Sequence, residues 1–257
     1  SVSTEKTIDY QALQLRRRLL LQHNRHRQSI TGPVLKSGEE LKESILTSDR
    51  VRTFIRKQAD ARQEPIYKIR KKADGYLDEI AARYSPAVIR IMSSVVGWII
   101  NSMFDGAVID KAGLARVKAM SRQGPLILIP CHKSHIDYLI LSYILYHNNM
   151  PCPLVAAGKN LSFWPIGPIF RKSGAFFLRR TFKGLPLYAH VFSGYISKIL
   201  EEGFNLELFI EGGRSRTGKL LMPKLGMLSI LLEAFSNGVC EDLMFTPIFI
   251  GYDRVLE

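Results

Sequence analysis

Two rhythms of apolar and polar residues run along this chain, and they change over near its middle. In the first part, apolar positions recur every three to four residues, the spacing of one face of a helix. Residues 9–28 set Leu13, Leu15, Leu19, Leu20 and Leu21 among Arg16, Arg17, Arg18, Arg25 and Arg27, which predicts a basic amphipathic helix ended by Thr31-Gly32-Pro33. A second helix is expected over 38–59, on Leu41, Ile45, Leu46, Val51, Phe54 and Ile55. A third opens at Glu64-Pro65 and runs through Ile69, Ala73, Leu77 and Ile80 to Tyr84. Ser85 before Pro86 suits an N-cap and first helical position, so the apolar stretch 87–104 reads as a fourth.

From Gly124 the rhythm changes to short β-like runs between helical ones. Strands are predicted at 126–130, 153–157, 174–178, 205–210 and 244–250, and helices at 136–147, 187–202 and 224–236, with an irregular aromatic segment after the second strand. That alternation implies an α/β fold with crossover connections. The expectation is a helical N-terminal region over 1–122, followed by a mixed-sheet α/β domain over 123–257, with the boundary near 105–122.

Composition and charge add to this pattern. At 257 residues, 46% hydrophobic and 23% charged, the chain is globular and long enough for a substantial core. The net charge is +13, and residues 1–72 hold 17 Lys and Arg against 8 Asp and Glu. A basic N-terminal surface and an acidic partner follow: anionic lipid, nucleic acid, or a phosphorylated substrate. Three widely spaced cysteines read as reduced thiols in a cytosolic setting. The polar start lacks a signal peptide's pattern, and the apolar stretch Ile91 to Phe104 is too short to cross a bilayer; it suits a membrane interface or packing on a core. A start without Met and a stop just after a strand-like run suggest a piece of a longer protein.

Cys131-His132-Lys133-Ser134-His135-Ile136-Asp137 joins the first predicted strand to its helix. His132 and Asp137 are five residues apart, about 500° around an ideal helix, so they share no helical face. They meet only if His132 lies in the turn before the helix, which Pro130 favours. A carboxylate would then fix the imidazole's tautomer, and the imidazole would take a proton from a hydroxyl. A capping Asp beside a structural His is the alternative. Cys131 and His135 make a poor match to zinc-site spacing, so no metal is expected.

Two later strands deliver cations to their carboxyl ends. One is Gly174 to Lys183 with Arg179, Arg180 and Lys183; the other runs into Glu211-Gly212-Gly213-Arg214-Ser215-Arg216 and on to Lys219. Arginine forks suit phosphate oxygens, and Gly212-Gly213 lets the backbone turn sharply against a ligand. The spacing is not that of a P-loop. A late strand with Pro247 shapes a pocket wall or fills core. The aromatic run 163–170 suits an acyl pocket, a membrane contact or core packing.

Taken together, the His-x4-Asp pair, Gly-x-Phe-Phe-x-Arg-Arg, Glu-Gly-x-Arg-Ser and the strand with Pro247 resemble the glycerolipid acyltransferase superfamily. The wording of the blocks is similar to the bacterial membrane-associated glycerol-3-phosphate 1-O-acyltransferases. That resemblance implies acyl transfer from acyl-CoA or acyl-acyl-carrier-protein to the sn-1 hydroxyl of glycerol 3-phosphate, without metal, cofactor or acyl-enzyme. It implies His132 as general base and Asp137 as its orienting partner. Arg180, Arg214 and Arg216 would hold the phosphate, Glu211 and Gly212 would shape the acceptor site, and Pro247 would lie on the donor side. The membrane's cytoplasmic face and its anionic lipids are implied, and nucleic acid is not. Dihydroxyacetone phosphate is the competing acceptor; a non-catalytic module binding anionic lipid or nucleic acid is the competing class.

Overall fold

A computed structural model describes residues 24–252 except 35, 105, 216, 218 and 220, together with 15, 16, 19 and 20. Residues 15, 16, 19, 20 and 24–31 are helical (α1), past the expected end at 28; the remainder of that predicted helix lies outside the described residues. The helix expected over 38–59 is two, α2 (Gly38–Leu46) and α3 (Asp49–Arg62). Ser37 and Glu40 form a capping box that starts α2, and Ser48 Oγ donates back to Ile45 O at the break. Then follow α4 (Ile66–Ile80) and α5 (Pro86–Met103). With Pro86 in its first turn α5 reaches 18 residues, long and apolar enough to cross a membrane by length and composition, unlike the shorter stretch 91–104. Helix α6 (Lys111–Met120), capped by Asp110, was not expected.

The second half alternates β1 (Leu126–Pro130), α7 (Asp137–His147), β2 (Leu154–Gly158), α8 (Ile166–Lys172), β3 (Ala175–Leu178), α9 (Pro186–Glu201), β4 (Leu206–Glu207), α10 (Gly226–Ser236) and β5 (Met244–Ile248). Every pairing among the described residues is parallel, in the order β3-β2-β4-β1-β5, rather than mixed. A helix carries the chain back across the sheet after each of the first four strands, and that connection makes successive strands parallel. Strand β4 is two residues long, not six: Leu208 still donates to Leu128 O, and the chain then turns at Phe209–Gly212.

The pleat sorts β1 between two cores. Leu126 and Leu128 pack with Leu141 and Leu145 of α7. Ile127 faces the other way, into a core of α9, α2, α3 and α4. Helix α9 is apolar nearly all round, with Tyr188, Val191, Phe192, Tyr195 and Ile196 fully buried. The N-terminal helices therefore share their core with the sheet. Gly194 permits this approach, because a Cβ there would sit 2.7 Å from Val51 Cγ2. Arg25, half-buried, ties α1 to the sheet by donating to Ser121 O, Gly124 O, Gly203 O and Asn205 Oδ1. Desolvation lowers its pKa to about 10.

Candidate active site

Parallel sheets gather their ligands beyond the carboxyl ends of the strands, and here four strand ends converge. Pro130 closes β1, and Cys131 N–H still donates to Ile248 O of β5 at 3.0 Å. The chain then leaves the sheet in a turn over 131–136 that places His132 ahead of α7. Asp137, the first residue of α7, is fully buried beneath that turn.

The carboxylate organises everything around it. Its Oδ2 lies 3.0 Å from His132 Nδ1 and accepts the backbone N–H groups of Lys133 (2.7 Å) and Ser134 (2.9 Å). Its Oδ1 accepts the Tyr252 hydroxyl, which the segment after β5 brings in from 115 residues away. Burial alone would raise the Asp137 pKa, but donation from His132, Tyr252, Ser134 and Lys133 outweighs it and holds the group below the ordinary carboxyl range. An ionised carboxylate can only accept, so the imidazole proton belongs on Nδ1 and the lone pair on Nε2. Burial and the adjacent carboxylate push the Tyr252 phenol well above its usual pKa.

The loop after β4 closes over this turn. Ser215 N–H donates to His132 O at 2.8 Å, and the His132 ring lies against Phe209 with centroids 4.1 Å apart. Glu211 is buried and turned onto main chain, accepting Leu221 N–H at 3.2 Å with His132 N–H at 3.5 Å. Gly212 adopts φ +62, the left-handed conformation that lets this loop double back.

A cavity of about 720 Å³ opens beside His132, within the usual range for small-molecule sites. His132, His135, Gly212, Arg214 and Arg180 all border it, as does Lys224. One wall, from α5, α7 and α8, is largely apolar, with Ile89, Met92, Val96, Leu139 and Phe170. The loops after β3 and β4 bring the cations. Of the two arginines ending β3, Arg179 is committed: Glu79 grips it through two contacts of 2.6 and 2.7 Å and also holds Lys159. Arg180 and Arg214 form no ion pair among the described residues. Burial, then the nearby Arg214 and His132, lower the His135 pKa, so this ring favours its neutral form.

One expected residue is not brought into this group. Pro247 is exposed on the edge strand β5 opposite Ile129, where a missing N–H is tolerated, and it does not border the cavity. Arg216 lies outside the described residues. Among the described residues no group of three or more His, Cys, Asp and Glu is set to hold a metal ion. Tyr252 and Lys224 escaped the sequence reading, because only the fold links them to the turn at His132. Glu207 escaped it too: it is fully buried mid-sheet, and both carboxyl oxygens lack a hydrogen-bond partner among the described residues. Burial, then Asp137, drive its pKa well above the ordinary carboxyl range, so it is a neutral acid.

The sequence profile described as Acyltransferase matches residues 111–251, more than half of the chain. The chain belongs to the acyltransferase family. That span holds β1 to β5, the His132–Asp137 pair and the loop with Arg214. Among its relatives, a protein of Aeromonas hydrophila named glycerol-3-phosphate acyltransferase is 43% identical over 235 residues, covering 91% of this acyltransferase chain and 29% of the relative. Its namesake from Shewanella denitrificans is 40% identical over 255 residues (99% and 31%), and that from Shewanella oneidensis is 42% identical over 234 (91% and 29%). The chain thus spans under a third of the length of these relatives.

Proposed function

We propose that this chain carries the catalytic unit of a glycerol-3-phosphate acyltransferase. It would move a fatty acyl group from acyl-CoA or acyl-acyl-carrier-protein to the sn-1 hydroxyl of glycerol 3-phosphate, giving lysophosphatidic acid. One observation carries the reading: the buried Asp137–His132 pair opens onto a cavity bordered by Arg180 and Arg214, two arginines without an ion-pair partner among the described residues. The relatives' name, glycerol-3-phosphate acyltransferase, supports it.

The chemistry needs little else. His132 Nε2 takes the proton of the acceptor hydroxyl while its oxygen attacks the thioester carbonyl carbon. The imidazolium so formed faces the Asp137 carboxylate, which stabilises it. Collapse of the tetrahedral species breaks the carbon–sulfur bond, and the imidazolium returns its proton to the leaving thiolate. Arg180 and Arg214, with Arg216, hold the acceptor phosphate so that the hydroxyl stands near Nε2. Gly212 lets the loop approach that phosphate, and Glu211 fixes the loop against the histidine turn. Pro247 belongs to the donor side in this reading. The acyl chain lies along the apolar wall, and because a thioester is already activated the transfer needs no metal or further cofactor. The product is a lipid, which fits work at the cytoplasmic face of a membrane.

The test is thiol release from palmitoyl-CoA, with and without glycerol 3-phosphate, in detergent. Release should require the acceptor and vanish in His132→Ala at unchanged thermal unfolding; retained turnover in that variant sinks the reading. Dihydroxyacetone phosphate in the same assay identifies the better acceptor, and binding of nucleic acid without thioester consumption would favour the non-catalytic class.

A further inference from the structure

Helix α5 has two apolar faces where a helix at the edge of a soluble protein has one. The inner face, with Ile89, Val96 and Ile100, is buried, and Ile89, Met92 and Val96 border the cavity. The opposite stripe, Ile91, Val95 and Trp98, recurs at helical spacing and is exposed, Trp98 by 68%. Against the same helix packs α8, preceded by another exposed apolar run: Phe163, Trp164 (83% exposed) and Ile166, with Ile169 within α8. Backbone bonds from Arg83 N–H to Arg171 O (2.9 Å) and Ser85 N–H to Lys172 O (2.8 Å) fasten the start of α5 to the end of α8.

Charge says what covers this surface. Neither 80–104 nor 151–180 contains a single Asp or Glu. Both carry exposed cations, Arg83 and Arg90 in one and Lys172 in the other, and Arg90 and Lys172 form no ion pair among the described residues. An apolar stripe with tryptophans, built from two segments without carboxylates and edged by Arg90 and Lys172, complements the headgroup layer of an anionic bilayer. A protein partner would need no such one-signed edge.

We propose that the outer stripe of α5 and the 163–169 segment form the surface by which this chain seats on an anionic phospholipid membrane. Helix α5 then lies along the membrane rather than across it, since its inner face is committed to α7 and to the cavity wall. One helix separates bilayer from cavity, a short route for a lipid product; this last step rests on the acyltransferase reading, while the surface itself does not.

Trp98 and Trp164 are the two tryptophans of the chain, so intrinsic fluorescence reports this surface alone. The probe is vesicles of phosphatidylcholine with and without phosphatidylglycerol, some made with brominated lipid. Trp98→Phe and Trp164→Phe each leave one reporter. Both should shift to the blue and be quenched by brominated lipid, more strongly with phosphatidylglycerol. The pair Ile91→Ser and Val95→Ser should weaken partitioning roughly tenfold or more, given the apolar area removed. Vesicle flotation without a shift or quenching at either tryptophan would overturn the proposal, placing the contact elsewhere, such as at the basic N-terminal region. So would an emission unchanged by any vesicle. Thiol release in detergent should survive the serine pair; its absence from wild type, with vesicle insertion intact, counts against the acyltransferase reading and leaves the surface standing.

Discussion

Replacing Asp137 by asparagine separates the two jobs this carboxylate does, holding a turn and answering a charge. If the asparagine carbonyl takes the place of Oδ2, it accepts from Lys133 N–H, Ser134 N–H and His132 Nδ1–H as before. Its amide then faces Tyr252, whose oxygen turns from donor to acceptor. The contacts survive without charge assistance, so the fold should lose no more than about 2 kcal/mol. Catalysis loses more. A carboxylate and an imidazolium whose charge centres lie about 4 Å apart attract by about 4 kcal/mol at an effective dielectric near 20. That attraction exists only once His132 is protonated, so it acts on the transition state. At about 1.4 kcal/mol per decade, kcat should fall roughly a thousandfold with the KM for glycerol 3-phosphate little changed. Steady-state thiol release, beside a thermal melt, measures both. A variant that keeps a third of wild-type kcat, while His132→Ala has none, would show that Asp137 merely caps the turn and would refute the reasoning.

If the proposed phosphate site is right, Arg180→Gln and Arg214→Gln each remove a charge-assisted contact to the acceptor phosphate, about 1.5–3 kcal/mol. The KM for glycerol 3-phosphate should rise roughly tenfold to a hundredfold in each; an unchanged KM in both would move the phosphate elsewhere. Glu207 gives a stability test with a definite sign. Its pKa is raised by folding, so above the ordinary carboxyl range the unfolded chain has released a proton that the folded chain keeps, and stability falls as pH rises. Glu207→Gln should therefore melt higher than wild type at pH 8, with the gap closing towards pH 4; a gap independent of pH would mean that Glu207 is not a neutral acid.

What the chain's pattern made legible depended on how local the determining interactions are. Strand β1 appears at the expected residues because Gly124-Pro125 and Pro130 punctuate it, and α7 starts within a residue of its expected place. The meeting of His132 and Asp137 was readable because one proline breaks the strand and the two residues lie five apart. Helix α6 was missed because its face is too weakly apolar to bury a residue fully, and α8 because aromatic side chains and two prolines hide its spacing. The distinction between Arg179 and Arg180 was invisible: it depends on Glu79, a hundred residues away, which neutralises the first and leaves the second without an ion pair among the described residues.

The same limit explains Glu207, and there it bears on function. In Leu206-Glu207-Leu208 the alternation of apolar and polar residues reads as a strand with one wet face. Both faces of β4 are instead covered: Leu206 packs in the core that α9 fills, and Glu207 is fully buried on the opposite face. The alternation that normally marks solvent marks here a carboxyl shut inside the protein, on the face of the sheet that Leu128 shares with α7. A second negative charge there would oppose the ionised Asp137, so keeping Glu207 protonated spares the proposed His132–Asp137 pair that repulsion.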